Sequence, residues 1–202
     1  MEIFGLVLIC LVCFGGSLLT FFSGFGLGTI LLPVFSLFFD LPVAIGMTAL
    51  VHLLNNLFKL NLTWRYASRR LVLHFGIPSA IAAFAGAWLL GILASDSNII
   101  RFELSGIHFK TSWIKIVIGS LLFIFAWLEW VEWKSESLKG RFWLPLGGMF
   151  SGFFGGLYGH QGALRTLFLV GTNISKESLI GTGVVIACMV DLVRISYYAS
   201  GS

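Results

Sequence analysis

The sequence predicts an all-α, polytopic membrane protein made of two inverted repeats, each starting with a broken or re-entrant helical hairpin. Three observations lead to this fold class. Only 11% of the residues are charged and 57% are hydrophobic, whereas a soluble domain carries about 25% charged residues. Residues 71–94 and 113–131 form apolar runs long enough for a helix to cross a hydrocarbon core of about 30 Å. A glycine-interrupted pattern also occurs twice along the chain.

The apolar runs indicate helices rather than strands. Strands of a membrane barrel alternate apolar and polar residues over about 10 positions, and these runs do not alternate. Inside a bilayer, backbone groups must be hydrogen-bonded within the protein, which a helix achieves by itself. The 24 glycines are typical of membrane helices that pack closely or are interrupted.

The first hairpin is predicted from an interruption near residue 26. Residues 3–22 are apolar, the stretch from Ser23 to Thr29 is rich in glycine, and residues 30–39 are apolar again. Because the interruption divides the segment, we expect neither piece to span the bilayer by itself. Glu2 stands where a secretory signal would carry positive charge, so this first segment is expected to be retained.

Three full spans are predicted after this hairpin. Pro42 suits the first turn of a helix that runs to about residue 62, and the spans at 71–94 and 113–131 follow. Because lysine and arginine collect in cytoplasmic loops, we place the basic loops at 64–70 and 134–141 in the cytoplasm. The mixed-charge segment 95–112 then lies outside. These features predict a multi-pass protein of the cell (inner) membrane.

The opening pattern recurs in the second part of the chain. Residues 144–154 are apolar and rich in glycine, 155–162 form a second interruption, and 163–170 are apolar again before a long helix over 178–198. Gly26 corresponds to Gly159, and Gly46 corresponds to Gly181. At the same spacing that relates Gly46 to Gly181, Asn56 corresponds to Asp191 and Lys59 corresponds to Arg194.

The repeat predicts two units of unequal length. Residues 1–135 form a hairpin with three transmembrane helices, and residues 141–202 form a hairpin with one. Because an odd number of spans separates the copies, the second copy is inverted, a recurring plan among transporters. No counterpart of 71–94 and 113–131 follows in the second copy. Either the chain is truncated, which we favour, or a partner chain supplies the missing helices. A homo-oligomer is one such arrangement.

Two glycine motifs resemble those of the TauE/SafE family of sulfite and organosulfonate exporters. They are Gly24-Phe25-Gly26-Leu27-Gly28 followed by Pro33, and Gly156-Leu157-Tyr158-Gly159-His160-Gln161-Gly162-Ala163-Leu164-Arg165. Segments 45–56 and 180–194 fit the helices that follow these motifs. The chain departs from the family pattern at Thr29, where a glycine is common, and in lacking the last two helices.

The resemblance implies a membrane transporter of small anions. The expected substrate is sulfite, a sulfonate or a related sulfur oxyanion, and we expect proton-coupled export. The alternative is a non-transporting membrane subunit or assembly factor. An intramembrane enzyme using His160 is a third hypothesis, but the sequence contains no H-E-x-x-H metal motif and no readable set of nucleophile, base and orienting residue. We therefore expect no enzyme activity.

The interruptions are the predicted substrate-binding site. Breaking a helix leaves backbone N–H groups free at its N-terminus, where the helix dipole also attracts anions. The alternative is that these glycines serve only packing and kinking. The candidate ligands are Ser23, Gly26, Gly28 and Thr29 in the first interruption, and Gly159, His160, Gln161 and Gly162 in the second.

Three further polar residues are candidates for the site, and His160 has a second candidate role. Arg165 is predicted to bind the anion, because arginine in a membrane usually faces a polar interior, although a structural ion pair or snorkelling is the alternative. Asn55 and Asn56 share a helix face with His52 and line a pathway or only join helices. His160 binds the anion or carries a coupling proton, or it is a structural residue.

Asp191 is the second candidate for proton coupling, and a simple pair with Arg194 is its alternative. Lys59 is expected to snorkel from the cytoplasmic end of its helix. Cys10, Cys13 and Cys188 are expected to act as small hydrophobic residues, so no cofactor and no metal are predicted. The expected partners are the lipid bilayer and a small inorganic or organosulfur anion. Nucleic acid is not expected, because no basic stripe accompanies the net charge of +4.

Overall fold

A computed structural model describes residues 3–23, 26–95, 99–104, 107–130 and 142–200. The helices are α1 (Ile3–Ser23), α2 (Leu27–Ser36), α3 (Leu41–Thr63), α4 (Arg69–Leu71), α5 (Ile77–Ser95), α6 (Trp113–Trp130), α7 (Trp143–Tyr158), α8 (Gly162–Val170) and α9 (Lys176–Ala199). A 3-10 turn (Trp64–Tyr66) follows α3, and a π-helical stretch (Val72–Gly76) joins α4 to α5. Gly24, Phe25 and the second basic loop at 134–141 lie outside the described residues.

The helices have the length and composition of an integral membrane protein. Four stretches could cross a bilayer on both criteria: Ile3–Phe21, Leu41–Tyr66, Arg69–Ser95 and Lys176–Ala199. Leu27–Ser36 and Trp113–Trp127 are shorter apolar helices. The expectation that residues 3–22 do not make a full span is wrong. No proline precedes the interruption, so α1 continues for 21 residues before it ends at Ser23.

The segment between α5 and α6 contains a β-hairpin that was not predicted. Strands β1 (Ile99–Leu104) and β2 (Ile107–Ser112) are antiparallel, with Arg101 opposite Lys110 and Glu103 opposite His108. The alternation of apolar and polar residues over 100–104 is a typical strand signal.

Helices α5 and α7 pack with their backbones almost in contact. A Cβ atom added to Gly152 would lie 1.9 Å from the Ser79 carbonyl oxygen, and one added to Gly156 would lie 2.0 Å from that of Ala83. Gly148 meets the Phe75 carbonyl in the same way, at 2.4 Å. These glycines recur every fourth residue and so share one face of α7. The interface therefore depends on the absence of side chains, as is common between membrane helices.

Helices α3 and α9 lie side by side and run antiparallel. A Cβ atom on Gly181, near the start of α9, would lie 2.5 Å from the Thr63 carbonyl oxygen at the end of α3. Further along α9, Asp191 instead contacts His52 and Asn56 in the middle of α3. The order of contacts is thus reversed between the helices. Most of the polar side chains of the candidate site stand on this pair.

The largest apolar core lies around α2 and α6, and it includes the first turns of α3 and the last turn of α7. Its fully or almost fully buried members include Leu31, Leu32, Phe35, Ile45, Ile118 and Tyr158. Large apolar side chains also cover the outside, among them Phe14, Leu54, Ile81 and Phe123. An apolar exterior is what a bilayer-embedded protein presents to lipid.

Candidate functional site

The two predicted interruptions share one backbone geometry. Gly26, directly before α2, has φ 95° and ψ −3°, and Gly159, directly after α7, has φ 97° and ψ 1°. Both residues lie in the left-handed region, which glycine adopts readily because it has no Cβ atom. Two positions that correspond in the repeated sequence pattern therefore turn the chain in the same way.

The two interruptions also touch each other. A Cβ atom on Gly28 would lie 3.3 Å from the Gly159 carbonyl oxygen and 3.5 Å from the His160 ring. The Thr29 hydroxyl and His160 Nε2 are hydrogen-bonded at 2.7 Å, with the donor set by the histidine tautomer. Thr29, the departure from the family pattern, thus supplies a hydroxyl at this contact that glycine lacks.

A small cavity lies where the interruptions meet. Its volume is about 20 Å³, which holds roughly one water molecule. Nine of the eleven predicted substrate-binding residues line it. They are Gly26, Gly28, Thr29, Asn55, Asn56, Gly159, His160, Gly162 and Arg165. Thr20, Leu27, His52 and Lys59 complete the lining.

Gln161 does not line this cavity, and the position of Ser23 relative to it lies outside the described side chains. Gln161 is fully buried behind it, with Nε2 3.4 Å from Asp191 Oδ1. Its backbone carbonyl accepts a hydrogen bond from Ser151 Oγ at 3.0 Å. Ser23 is the last residue of α1, and its side chain is outside the described part of the chain. Gln161 is therefore placed to orient Asp191 rather than to touch a molecule in the cavity.

Arg165 is buried in the first turn of α8 and faces the cavity. Arg165 is only 6% exposed. Its Nη1 atom has no hydrogen-bond partner among the described residues. The other side of the guanidinium packs against α9, where a Cβ atom on Gly183 would lie 3.2 Å from Nε. No described carboxylate forms a salt bridge with Arg165, so the structure does not show the ion pair that was its alternative.

Lys59 is a site residue that the sequence analysis missed. The expectation that it snorkels to the membrane surface is wrong, because the residue is only 6% exposed. Lys59 Nζ donates a hydrogen bond to the Thr20 carbonyl oxygen at 2.8 Å. Carbonyl groups in the last turn of a helix have no intrahelical partner, and the end of α1 presents this one to Lys59. Its correspondence with Arg194 in the repeat was the available signal.

Asp191 lies at the centre of a buried polar network behind the cavity. Its Oδ1 is 2.7 Å from Arg194 Nη2, which is the pair that the sequence suggested. Its Oδ2 is 2.6 Å from His52 Nδ1 and 3.2 Å from Asn56 Nδ2. His52 and Asn56 both line the cavity. The carboxylate is therefore connected to the cavity through two side chains of α3.

His160 is held between the cavity and an aromatic cluster. Its ring stacks on Tyr158 with 4.9 Å between centroids, and Phe125 approaches at 6.0 Å. The residue is 4% exposed, and Nδ1 has no hydrogen-bond partner among the described residues. This geometry fits both interpretations of His160, as a binding residue and as a structural one.

Metal ligands do not gather in the part of the chain that the structure describes. Searching it for three or more neighbouring histidine, cysteine, aspartate or glutamate residues finds no group that could hold a metal ion. Cys10, Cys13 and Cys188 are free, and Cys188 is buried in α9. The arrangement can instead offer cations, amides and backbone N–H groups, which are the partners of an anion.

Comparison with known proteins agrees with the resemblance seen in the glycine motifs. The model of the family described as sulfite exporter TauE/SafE matches residues 8–202. No curated protein and no solved structure matches the chain. The matched range contains both interruptions and every residue of the cavity described above.

Proposed function

The chain belongs to the TauE/SafE sulfite exporter family, and from this premise we propose that it binds and carries a sulfur oxyanion at the cavity between the two interruptions. The cavity has room for about one water molecule, so it must widen when the anion enters. The family is one of membrane exporters of sulfur anions. Sulfite, a sulfonate or a related anion is the proposed substrate, and export through the cell (inner) membrane is proposed to be coupled to protons.

The observation that carries the proposal is the Nη1 atom of Arg165, which has no hydrogen-bond partner among the residues that the structure describes. An arginine inside a membrane costs about 2.5 kcal/mol or more, and a buried donor without an acceptor adds about 1–3 kcal/mol. Arg165 Nη1 is such a donor, on a residue that lines the cavity. The planar guanidinium fork matches the oxygens of an oxyanion. A bound oxyanion would remove both costs.

The helix ends at the interruptions support the same interpretation. Helix α2 begins directly after Gly26 and α8 begins at Gly162, and no side chain of the described residues caps either N-terminus. The first N–H groups of a helix lack intrahelical acceptors, and the dipole makes that end positive. Gly26, Gly28, Gly159 and Gly162 allow an anion to approach these groups closely. Thr29, Asn55, Asn56 and His160 would add side-chain donors, and Ser23 remains a proposed ligand.

We further propose that the two sequence copies are inverted repeats. The corresponding helices α3 and α9 are antiparallel, so in a bilayer they would cross in opposite directions. Gly26 and Gly159 have nearly the same φ and ψ. Asn56 and Asp191, which also correspond, are in contact at 3.2 Å, as expected of equivalent residues near a pseudo-twofold axis. These relations support the division at 1–135 and 141–202.

Proton coupling is proposed to use Asp191 and His160, with His52 as an additional member. Histidine changes its charge near neutral pH, and His52 connects the Asp191 carboxylate to the cavity. His160 reaches the same cavity from the second interruption. A proton taken up on this network would add positive charge beside the cavity and so favour binding of the anion, and loss of that proton would favour its release.

The test is flux in proteoliposomes made from the purified chain. Sulfite, sulfoacetate and thiosulfate would be measured with and without a pH gradient, for wild type, Arg165→Gln and Arg69→Gln. Arg69 is exposed and serves as the matched control. We expect anion flux in wild type and Arg69→Gln, and a loss of at least about tenfold in Arg165→Gln, the size of a lost charged hydrogen bond.

Two results would overturn the proposal. Flux of every anion unchanged in Arg165→Gln would remove Arg165 from the site. Absence of flux in well-folded wild type, together with an obligate partner on purification, would favour the non-transporting subunit instead.

A further inference from the structure

A second cavity adjoins the first on the side of α9. Its volume is about 90 Å³. It shares Asn56, Lys59 and Arg165 with the first cavity and extends between α8 and α9 as far as Ile180. Ile180 is 47% exposed, so this cavity leads from the buried cations towards the outside of the protein. The cavity approaches the end of the protein at which α3 finishes and the basic turn after Thr63 begins.

Two cations line this second cavity, and neither forms a salt bridge with a carboxylate of the described residues. Lys59 Nζ is held by the Thr20 carbonyl at 2.8 Å and lies 5.8 Å from the centre of the Phe21 ring. Neither group carries a formal charge. Arg165 contributes Nη1, which has no hydrogen-bond partner within the described residues. Each of the two residues is 6% exposed, so water screens little of their charge.

The buried carboxylate of Asp191 attracts Arg165 but forms no salt bridge with either cation among the described residues. Among the described residues, Asp191 is the only buried acidic residue. One of its oxygens lies 2.7 Å from Arg194 and the other lies 2.6 Å from His52. Lys59 and Arg165 also repel each other. Buried charges are normally paired, and an ammonium group offers three donors, of which Lys59 uses one on Thr20. Lys59 Nζ and Arg165 Nη1 therefore keep donors that an external acceptor could use.

We propose that the second cavity is an anion subsite adjoining the first cavity, in which Lys59 and Arg165 together bind an oxyanion that carries two negative charges. The proposal rests on the transport function above and adds to it a position for the anion between the interruptions and the α8–α9 opening. Two neighbouring cations attract a dianion more strongly than they attract a monoanion. The subsite therefore selects dianions over monoanions that have a similar head group.

The alternative is that Lys59 only caps the end of α1. In that case its loss would weaken the fold but would affect all anions equally. Charge selectivity separates the two interpretations, because only a direct electrostatic role depends on the charge of the anion. Thiosulfate serves as the dianionic probe and methanesulfonate as the monoanionic probe.

The experiment measures binding of both probes to the purified full chain by isothermal titration calorimetry. The variants are Lys59→Gln, Lys59→Arg and, as the exposed control, Lys176→Gln. We expect Lys59→Gln to raise the thiosulfate Kd by about tenfold or more, since a charged hydrogen bond is lost, and the methanesulfonate Kd by less than about threefold. Lys59→Arg and Lys176→Gln should stay close to wild type. Retained methanesulfonate binding shows that Lys59→Gln is folded.

A second variant acts on Arg165 from the other helix. A Cβ atom on Gly183 would press on Arg165 Nε at 3.2 Å, so Gly183→Ala should also weaken thiosulfate binding more than methanesulfonate binding. Equal effects on both anions, or no effect in Lys59→Gln, would overturn the subsite. If Arg165→Gln abolishes flux while Lys59→Gln binds thiosulfate normally, the subsite alone fails. If wild type binds neither probe, the proposed function fails with it.

Discussion

Asn56 Nδ2 lies 3.2 Å from Asp191 Oδ2, although 135 positions separate the two residues in the chain. They occupy corresponding positions in the repeated sequence pattern, on two helices that run antiparallel. Their contact joins α3 to α9 directly behind the cavity. A change at either residue therefore acts on both halves of the candidate site.

The first prediction concerns the buried pair of Asp191 and Arg194. Asp191→Asn leaves a fully buried guanidinium without its carboxylate, and removing one partner of a buried pair costs about 3–5 kcal/mol. The double variant Asp191→Asn/Arg194→Gln removes both charges and should lose less stability than the sum of the single variants. Thermal unfolding in detergent measures this, and simple additivity would contradict it.

The second prediction separates proton coupling from anion binding. His52→Gln removes the titratable group bonded to Asp191 at 2.6 Å but keeps a polar side chain of related size. We expect anion exchange at equal pH on both sides to persist and the response of flux to a pH gradient to fall strongly. His160→Gln tests the other proposed coupling residue in the same assay. Unchanged gradient dependence in both variants would remove the histidines from the coupling.

The third prediction concerns the left-handed turn at Gly159. Gly159→Ala strains a backbone with φ 97° and places Cβ 2.6 Å from Arg194 Nη1. The left-handed conformation alone costs a non-glycine residue about 1–2 kcal/mol. We expect lower thermal stability and loss of flux. Gly119→Ala is the control, because nothing lies within 4 Å of its added Cβ, and a comparable loss there would contradict the explanation.

The fourth prediction tests the close packing of α5 on α7. Gly152→Ala would put Cβ 1.9 Å from the Ser79 carbonyl oxygen, so the two helices must separate. We expect a marked fall in the thermal midpoint in detergent, because overpacking costs about 1–3 kcal/mol or more. Gly15→Ala, in open space on α1, should leave the midpoint within a few degrees of wild type. Tolerance of Gly152→Ala would mean that the interface is looser than described.

The fifth prediction concerns membrane topology. With the three native cysteines replaced, single cysteines at Ala67 and Ser137 should react with an impermeant thiol reagent from the same side of the membrane. A cysteine at Arg101 in the β-hairpin should react from the opposite side. Labelling of 67 and 137 from opposite sides would overturn the inverted arrangement.

Part of the candidate site was accessible from sequence because it follows local rules. Glycine clusters that interrupt apolar runs identify helix breaks, and an arginine beside one of them identifies a charged site. This reasoning selected Gly26, Gly159 and Arg165, which line one cavity. It failed for Lys59, because whether a lysine reaches the membrane surface depends on which helix lies over it. Thr20 of α1 provides that cover.

The sequence alone determined that this chain is a helical membrane protein with two glycine interruptions. Scarce charge and long apolar runs leave lipid as the surrounding medium, and lipid forces each backbone segment to satisfy its own hydrogen bonds. Only the tertiary structure decided that Thr29 meets His160, that His52 meets Asp191, and that Lys59 is buried beside Arg165. Those contacts depend on the register and crossing of helices far apart in the chain, and side-chain packing between whole helices, rather than local pattern, sets that register.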